Sequence, residues 1–264
     1  MPCLYSIGTD VEQITPAMGW NSVQVAEETV LPLRDLEFTG KKWQDIRTAM
    51  NRARKAGVTA EWTSYPTAPL VITDQICAIA EEWAADKRLP EMGFTLGGLD
   101  EFHDPDVRLL VAVDQERTVH GVTSWLPVRR GGVLVGWTLD FMRRRADGFN
   151  GVMEFLIASA ATSCAAEGAE FLSLSGAPLA RLDDGEPVGG LQRLLDVTSD
   201  RLEPVYGFAS LLAFKAKFQP LYRPQYLAYP DPVALPAIAN AILRAYLPHL
   251  SARQTTRLAR AVLR

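Results

Sequence analysis

The sequence has little of what metal and redox chemistry require. Its 264 residues include three cysteines, Cys3, Cys77 and Cys164, and three histidines, His103, His120 and His249, none at the close spacing of a zinc site or a redox pair. No metal site is therefore expected. Cys77 and Cys164 sit in apolar helical patterns and are expected as buried structural thiols. No apolar run reaches eighteen residues, and the first residues form neither a charged n-region nor an apolar h-region, so this stretch is expected to be cytoplasmic. A net charge of -4 argues against non-specific nucleic-acid binding as the main activity but leaves room for local basic patches. With 48% hydrophobic and 22% charged residues the composition is that of a globular chain, which excludes wholesale disorder.

The cations that are present are unevenly placed. Gly40 to Gly57, GKKWQDIRTAMNRARKAG, holds six Lys or Arg against one Asp in eighteen residues. Trp43, Ile46, Met50 and Ala53 recur at the spacing of one helical face, while Arg47, Asn51, Arg54 and Lys55 fall on another. The pattern predicts an amphipathic helix ended by Gly57, with Arg54 and Lys55 suited to the negative end of its dipole. Such a face is either plainly solvated or a surface for an anionic partner. A second basic stretch closes the chain: after Asp231 there is no acid, while Arg244, Arg253, Arg257, Arg260 and Arg264 occur along two expected amphipathic helices. A capping helix pair and a contact with anionic lipid or tRNA are both open readings of it.

In chain order, residues 3–7 and 23–33 read as strands flanking a helical stretch with Asp10 as its N-cap and Gly19 as its stop. A strand over 58–65 follows the basic helix, and Pro66 and Pro69 mark a linker. Next come a helix over 70–87, a Gly-rich loop, a hairpin from 109–113 and 122–128, and a strand over 133–142. A helix over 151–167 capped by Asp147 or Asn150, a strand at 171–175, a loop expected to be mobile up to about 209, a helix over 210–218 and a strand over 223–230 complete the pattern. The result is an α/β mixed sheet with flanking helices.

Five segments taken in order, GKKWQDIRTAMNRA, DFMRR, FNGVMEFL, LSLSGAPL and FKAKFQPLYRPQYLAYP, resemble the cytosolic catalytic domain of the phosphatidylglycerol lysyltransferase and alanyltransferase family, the multiple peptide resistance factors. The resemblance spans about Val25 to Pro230. It implies a tandem acetyltransferase-like (GNAT) fold with a truncated first half: residues 1–66 as the remnant, 67–230 as the second half, and 231–264 as basic C-terminal helices. It also implies transfer of lysine or alanine from aminoacyl-tRNA to a hydroxyl of phosphatidylglycerol, at the inner face of the cell membrane, with no cofactor besides the tRNA co-substrate. Family members usually carry membrane-spanning helices ahead of this domain, so the chain reads as an excised piece or a stand-alone relative. Transfer to a soluble acceptor, a non-catalytic domain binding tRNA or anionic membrane, and an acyl-CoA acetyltransferase are the other readings. The last is weakened because RRRADGFNGVMEF lacks the Gly-rich pyrophosphate pattern at the start of the central helix.

Aminoacyl transfer starts from an activated ester, so the protein must orient a hydroxyl, help remove its proton and stabilise an oxyanion. Asp140 follows the apolar strand VLVGWTL, where a carboxylate is costly unless paired, and Arg143 is its expected partner as a catalytic pair. Lys217 is preferred over Lys215 as the third catalytic group, because the two diverge by about 200° on a helix. Glu154, Glu101, Asn150, Arg144 and the same-face serines Ser173 and Ser175 are candidate substrate-binding groups. Lys41, Lys42, Arg47, Arg54 and Lys55 are candidate tRNA contacts.

Overall fold

The computed structural model describes residues 2–86, 93–95, 97–178 and 208–246. In chain order these give β1 (Leu4–Ile7), α1 (Thr9–Glu12), β2 (Asn21–Pro32), α2 (Gln44–Lys55), β3 (Thr59–Thr63), α3 (Leu70–Asp86) and β4 (Arg108–Val113). There follow β5 (Val119–Arg130), β6 (Val133–Arg144), α4 (Val152–Ala166), β7 (Phe171–Pro178), α5 (Phe208–Ala216), β8 (Leu221–Tyr229) and α6 (Leu235–Tyr246). The expected loop over 179–207 and the second of the two C-terminal helices fall outside the described residues.

The strands form one eight-stranded sheet in the order β1-β8-β2-β7-β6-β5-β4-β3. Every neighbouring pair is antiparallel except β6 and β7, which α4 joins as a crossover. Residues 1–66 supply β1 and β2 towards one edge and β3 at the other, so the two expected halves build one sheet together.

Period-2 alternation on β4 divides the core between the two faces. Leu110 and Ala112 pack with α2 and α4, whereas Leu109, Val111 and Val113 pack with Ile72, Ile76 and Ile79 of α3. A third cluster joins Val23, Val25, Leu227 and Tyr229 to Ala234 and Ile238, where α6 meets the β2–β8 end of the sheet.

The basic helix forms as expected but begins later, after a 3-10 turn over Lys41–Trp43. Its buried residues are Ile46, Ala49 and Ala53, with Trp43 buried just ahead of them. Ala49 belongs to the packed face because α2 lies close against α4. Gly151 meets it there at φ +103, and a Cβ built on Gly151 would stand 2.9 Å from the Ala49 Cβ. Gly151 is accordingly the N-cap of α4, correcting the expectation of Asp147 or Asn150. The cap of α1 is Gly8, with Asp10 placed inside the first turn instead. Cys164 is buried, but Cys77 is only half-buried and lies 3.2 Å from the Tyr65 hydroxyl.

Gly151→Ala places a methyl where both backbone conformation and packing resist it. An expected loss of about 1–3 kcal/mol should appear as a lower urea midpoint with an unchanged slope.

Candidate active site

The only parallel pair among the described strands ends early. Pairing of β6 with β7 covers Gly136↔Phe171, Trp137↔Leu172 and Thr138↔Ser173, although β6 continues to Arg144 and β7 to Pro178. Beyond that point each strand carries a bulge. On β6, Leu139 pairs with Trp125 and Phe141 with Ser124, leaving Asp140 as an extra residue. On β7, Ser173 pairs with Val30 and Gly176 with Glu28, so Leu174 and Ser175 together face Thr29. Ser175 takes φ +64, which breaks the alternation expected for Ser173 and Ser175. Its hydroxyl bonds to the Leu139 carbonyl and spans the two strands where their ladder stops. A cleft opens there at the carboxyl ends of β6 and β7, the position where α/β sheets bind ligands.

One wall of the cleft is acidic. Asp140 accepts from the Gly97 N–H, and a Cβ on Gly97 would stand only 1.7 Å from Asp140 Oδ2, so this close approach needs glycine. Glu101 accepts from the Gly98 N–H at 2.7 Å. Burial, and then the Glu101 charge, push the Asp140 carboxyl above its ordinary range against the opposing Gly97 bond. The expected Asp140–Arg143 pair does not form. Arg143 lies flat on Trp83, 3.5 Å from the ring centroid, contacts Phe141 at 4.6 Å and donates to the Met142 carbonyl at 2.8 Å. On a strand, residues three apart alternate faces, and the aromatic contacts of Arg143 hold it on Trp83 and Phe141.

A buried cation, Lys215, lies against β7 beside its bulge. Lys215, only 3% exposed, donates to the carbonyls of Ser175 at 3.0 Å and Gly176 at 3.3 Å. Burial lowers its ammonium to about 8, opposed by the charge of Glu28. Glu28 in turn accepts from Ser173 Oγ at 2.7 Å, and Ser173 Oγ accepts from the Ser175 N–H at 3.2 Å. Both serine hydroxyl protons are thus committed within the fold, so neither is available as an oxyanion donor in this arrangement.

Lys217 and Glu154 are brought together, but with each other. Their ion pair is 2.7 Å long, at the first turn of α4. Lys217 lies past the end of α5, so the helical divergence expected of the two lysines does not apply to it. Asn150 and Arg144 are exposed beside the α4 N-terminus, and the Asn150 carbonyl accepts from Arg52 at 3.2 Å.

Among the expected tRNA contacts, Lys41, Lys42 and Lys55 are exposed cations. Arg47 instead donates to the carbonyls of Phe38 and Gly40, tying the loop before α2, and Arg54 donates to Asn51 Oδ1 at 3.0 Å. Among the described residues no group of three or more His, Cys, Asp or Glu could hold a metal, and no helix is long and apolar enough to cross a membrane.

The chain has an α/β mixed sheet with flanking helices, and among the described strands its one parallel pair is β6 with β7. Residues 1–229 match the family described as phosphatidylglycerol lysyltransferase, C-terminal, and the chain belongs to that family. It is 43% identical over 243 residues to an uncharacterized protein of Corynebacterium glutamicum, covering 92% of this chain and 31% of that one. To the phosphatidylglycerol lysyltransferase of Bacillus subtilis it is 27% identical, covering 80% of this chain and 24% of that protein. To the lysylphosphatidylglycerol biosynthesis bifunctional protein LysX of Nocardia farcinica the figures are 29%, 88% and 21%. The chain therefore spans less than a third of the length of these relatives. Its fold is similar to the structure of L-PGS from Bacillus licheniformis, with a TM-score of 0.77 at 23% identity, covering 92% of this chain and 72% of that one.

The lowered Lys215 value makes a signed prediction. Between about 8 and 10.5 the unfolded chain binds the proton that the folded chain has lost, so the cost of burying the charge is full below about 8 and is relieved as pH rises. Urea unfolding from about pH 7.5 to 10 should show the wild type gaining on the order of 1–3 kcal/mol relative to Lys215→Met.

Proposed function

We propose that this domain moves an amino acid, lysine or alanine, from aminoacyl-tRNA to a hydroxyl of phosphatidylglycerol, working in the cytoplasm at the inner face of the cell membrane. Family membership supports the reaction class. The observation that carries the reading is the cleft itself, with the acids Asp140 and Glu101 on one wall and the cation Lys215 against β7 beside its bulge.

In this reading the aminoacyl ammonium sits against Asp140 with Glu101 beside it. An ammonium between two carboxylates offsets the repulsion that raises the Asp140 carboxyl. The acceptor hydroxyl oxygen adds to the ester carbonyl carbon and gives its proton to water, from which the ammonium that protonates the ribose oxygen is restored. The oxyanion then collapses, the bond to the tRNA ribose oxygen breaks, and that oxygen takes a proton. Lys215 has three N–H donors, of which the carbonyls of Ser175 and Gly176 engage two. The third is suited to the oxyanion, and an ammonium near 8 is suited to protonating the departing ribose oxygen. Phosphates of the tRNA lie along the exposed Lys41 and Lys42 of the turn before α2 and Lys55 at its end.

The test is transfer of label from a pool of charged tRNAs into the organic phase in the presence of phosphatidylglycerol vesicles. Asp140→Asn should reduce single-turnover transfer by about a hundredfold while tRNA affinity changes less than about twofold; unchanged transfer removes Asp140 from the reaction. The rate should fall as pH rises through about 8, and Lys215→Arg should abolish that alkaline limb. Replacing Lys41, Lys42 and Lys55 together by Ala should weaken tRNA binding about tenfold or more and reduce its salt slope by roughly 3; normal binding would reject α2 as the tRNA surface.

A further inference from the structure

Away from the cleft, an open groove of about 360 Å³ runs between the start of β1 and the turn leading into α6. Its lining is Cys3, Val233, Ala234, Ala237, Ile238 and Ala241. Every contributing side chain is apolar or a thiol. Val233, in the 3-10 turn over Pro232–Ala234, is 84% exposed, and Leu243 on α6 is 44% exposed. Large apolar side chains this open to water, beside the exposed Asn240 and Arg244 of α6 and away from the Ile238 and Ile242 face that packs on the sheet, are the pattern of an interfacial surface.

Charge indicates the kind of interface. From Pro232 to Arg264 the sequence holds five arginines and no acid, in a chain whose net charge is -4. Arg244 lies in the last turn of α6 itself. The acid just before this stretch, Asp231, accepts from the Val233 N–H at 2.9 Å and serves as the cap of the turn. An apolar groove in a segment of positive charge fits an anionic phospholipid surface better than a neutral apolar partner.

The same helix reaches towards the cleft. Tyr246, at the end of α6, lies 3.0 Å from the Tyr5 hydroxyl on β1 and 2.6 Å from the Thr95 hydroxyl, and its carbonyl accepts from the Gly93 N–H at 2.9 Å. Phe94 packs edge-on against the Tyr246 ring at 5.4 Å. Two residues beyond Thr95, Gly97 donates to Asp140. The groove and the acidic wall are therefore connected through one short segment of chain.

We infer that the groove between β1 and α6 docks the protein on an anionic phospholipid surface and takes up part of an acyl chain. The inference rests on the proposed lipid acceptor: it specifies the face by which a soluble cleft meets a substrate held in a bilayer.

The experiment uses the whole chain and sedimentation with vesicles of phosphatidylcholine alone or with about a third phosphatidylglycerol. Ala237→Glu and Val233→Asp introduce charge at exposed positions, and unaltered unfolding midpoints establish that they fold. Each should reduce partition onto phosphatidylglycerol vesicles by about tenfold or more and leave tRNA binding unchanged. Arg244→Glu should remove most of the preference over phosphatidylcholine. Equal partition of wild type and both groove variants overturns the inference. So does equal wild-type binding to the two vesicle types, or a dimer in solution that the groove variants dissociate without any effect on vesicle binding. The two proposals fail separately. Groove-dependent vesicle binding without transfer upholds the docking face and rejects the acceptor, whereas transfer to phosphatidylglycerol with vesicle binding unaltered in the variants rejects the groove alone.

Discussion

The cleft depends on where one ladder of hydrogen bonds stops. A parallel pair inside an otherwise antiparallel sheet has no hairpin to hold its ends together, so β6 and β7 can separate once their pairing lapses after Thr138 and Ser173. Two bulges at the point of separation keep it from closing. Asp140 is the unpaired residue of one, and the left-handed Ser175 shapes the other. A third interaction fixes the gap: the Ser175 hydroxyl reaches Leu139, and Lys215 holds the carbonyls on the far side of the bulge. Backbone irregularity thus exposes polar atoms inside a sheet whose flanks are packed apolar core, and the Glu28 and Lys215 side chains and the Gly97 N–H engage the polar groups there.

Much of this architecture is legible in the sequence because it is carried by periodicity and by glycine. The hairpin of β4 and β5, the long helices and the basic face of α2 follow from spacing alone. What spacing does not carry is a bulge, which inserts one residue and reverses the facing of those after it. The shared face expected of Ser173 and Ser175 assumes a regular strand and fails at a bulge, whereas Asp140 and Arg143, three residues apart, alternate faces even on a regular strand. The cost argument that singled out Asp140, a carboxylate in an apolar strand, applies equally to Glu27 and Glu28 in VQVAEETVLPL and would have flagged Glu28. Lys215 was passed over for a different reason: the divergence rule holds only inside a helix, and α5 ends at Ala216.

Charge is separated by location instead of by total. The exposed Lys41 and Lys42 precede, and Lys55 ends, the helix α2 that packs against α4, and the Gly151–Ala49 contact fixes their position relative to the start of α4. The paired carboxylates lie across the sheet, where Phe102, next to Glu101, packs in the α3 cluster. A polyanion gathered on the first surface would be repelled by the second, while a short cationic group attached to it would be drawn in. That arrangement suits a substrate whose bulk is anionic and whose reacting end carries an ammonium.

Stability does not account for Lys215. Burying an ammonium forfeits several kcal/mol of hydration, and carbonyl partners with one carboxylate nearby return only part of it, as its lowered proton affinity records. An apolar side chain of similar length, seated with Phe214 and Phe218, would fill the same space without that penalty. Retaining a cation there makes physical sense if its charge is used in the reaction: an oxyanion would stabilise the ammonium that the fold alone holds at a cost. The same reasoning applies to Asp140, whose raised carboxyl awaits a positive group. A buried ammonium and a half-buried carboxylate beside the ends of the parallel pair, each under-compensated by the protein, describe a site complementary to a dipolar reacting group.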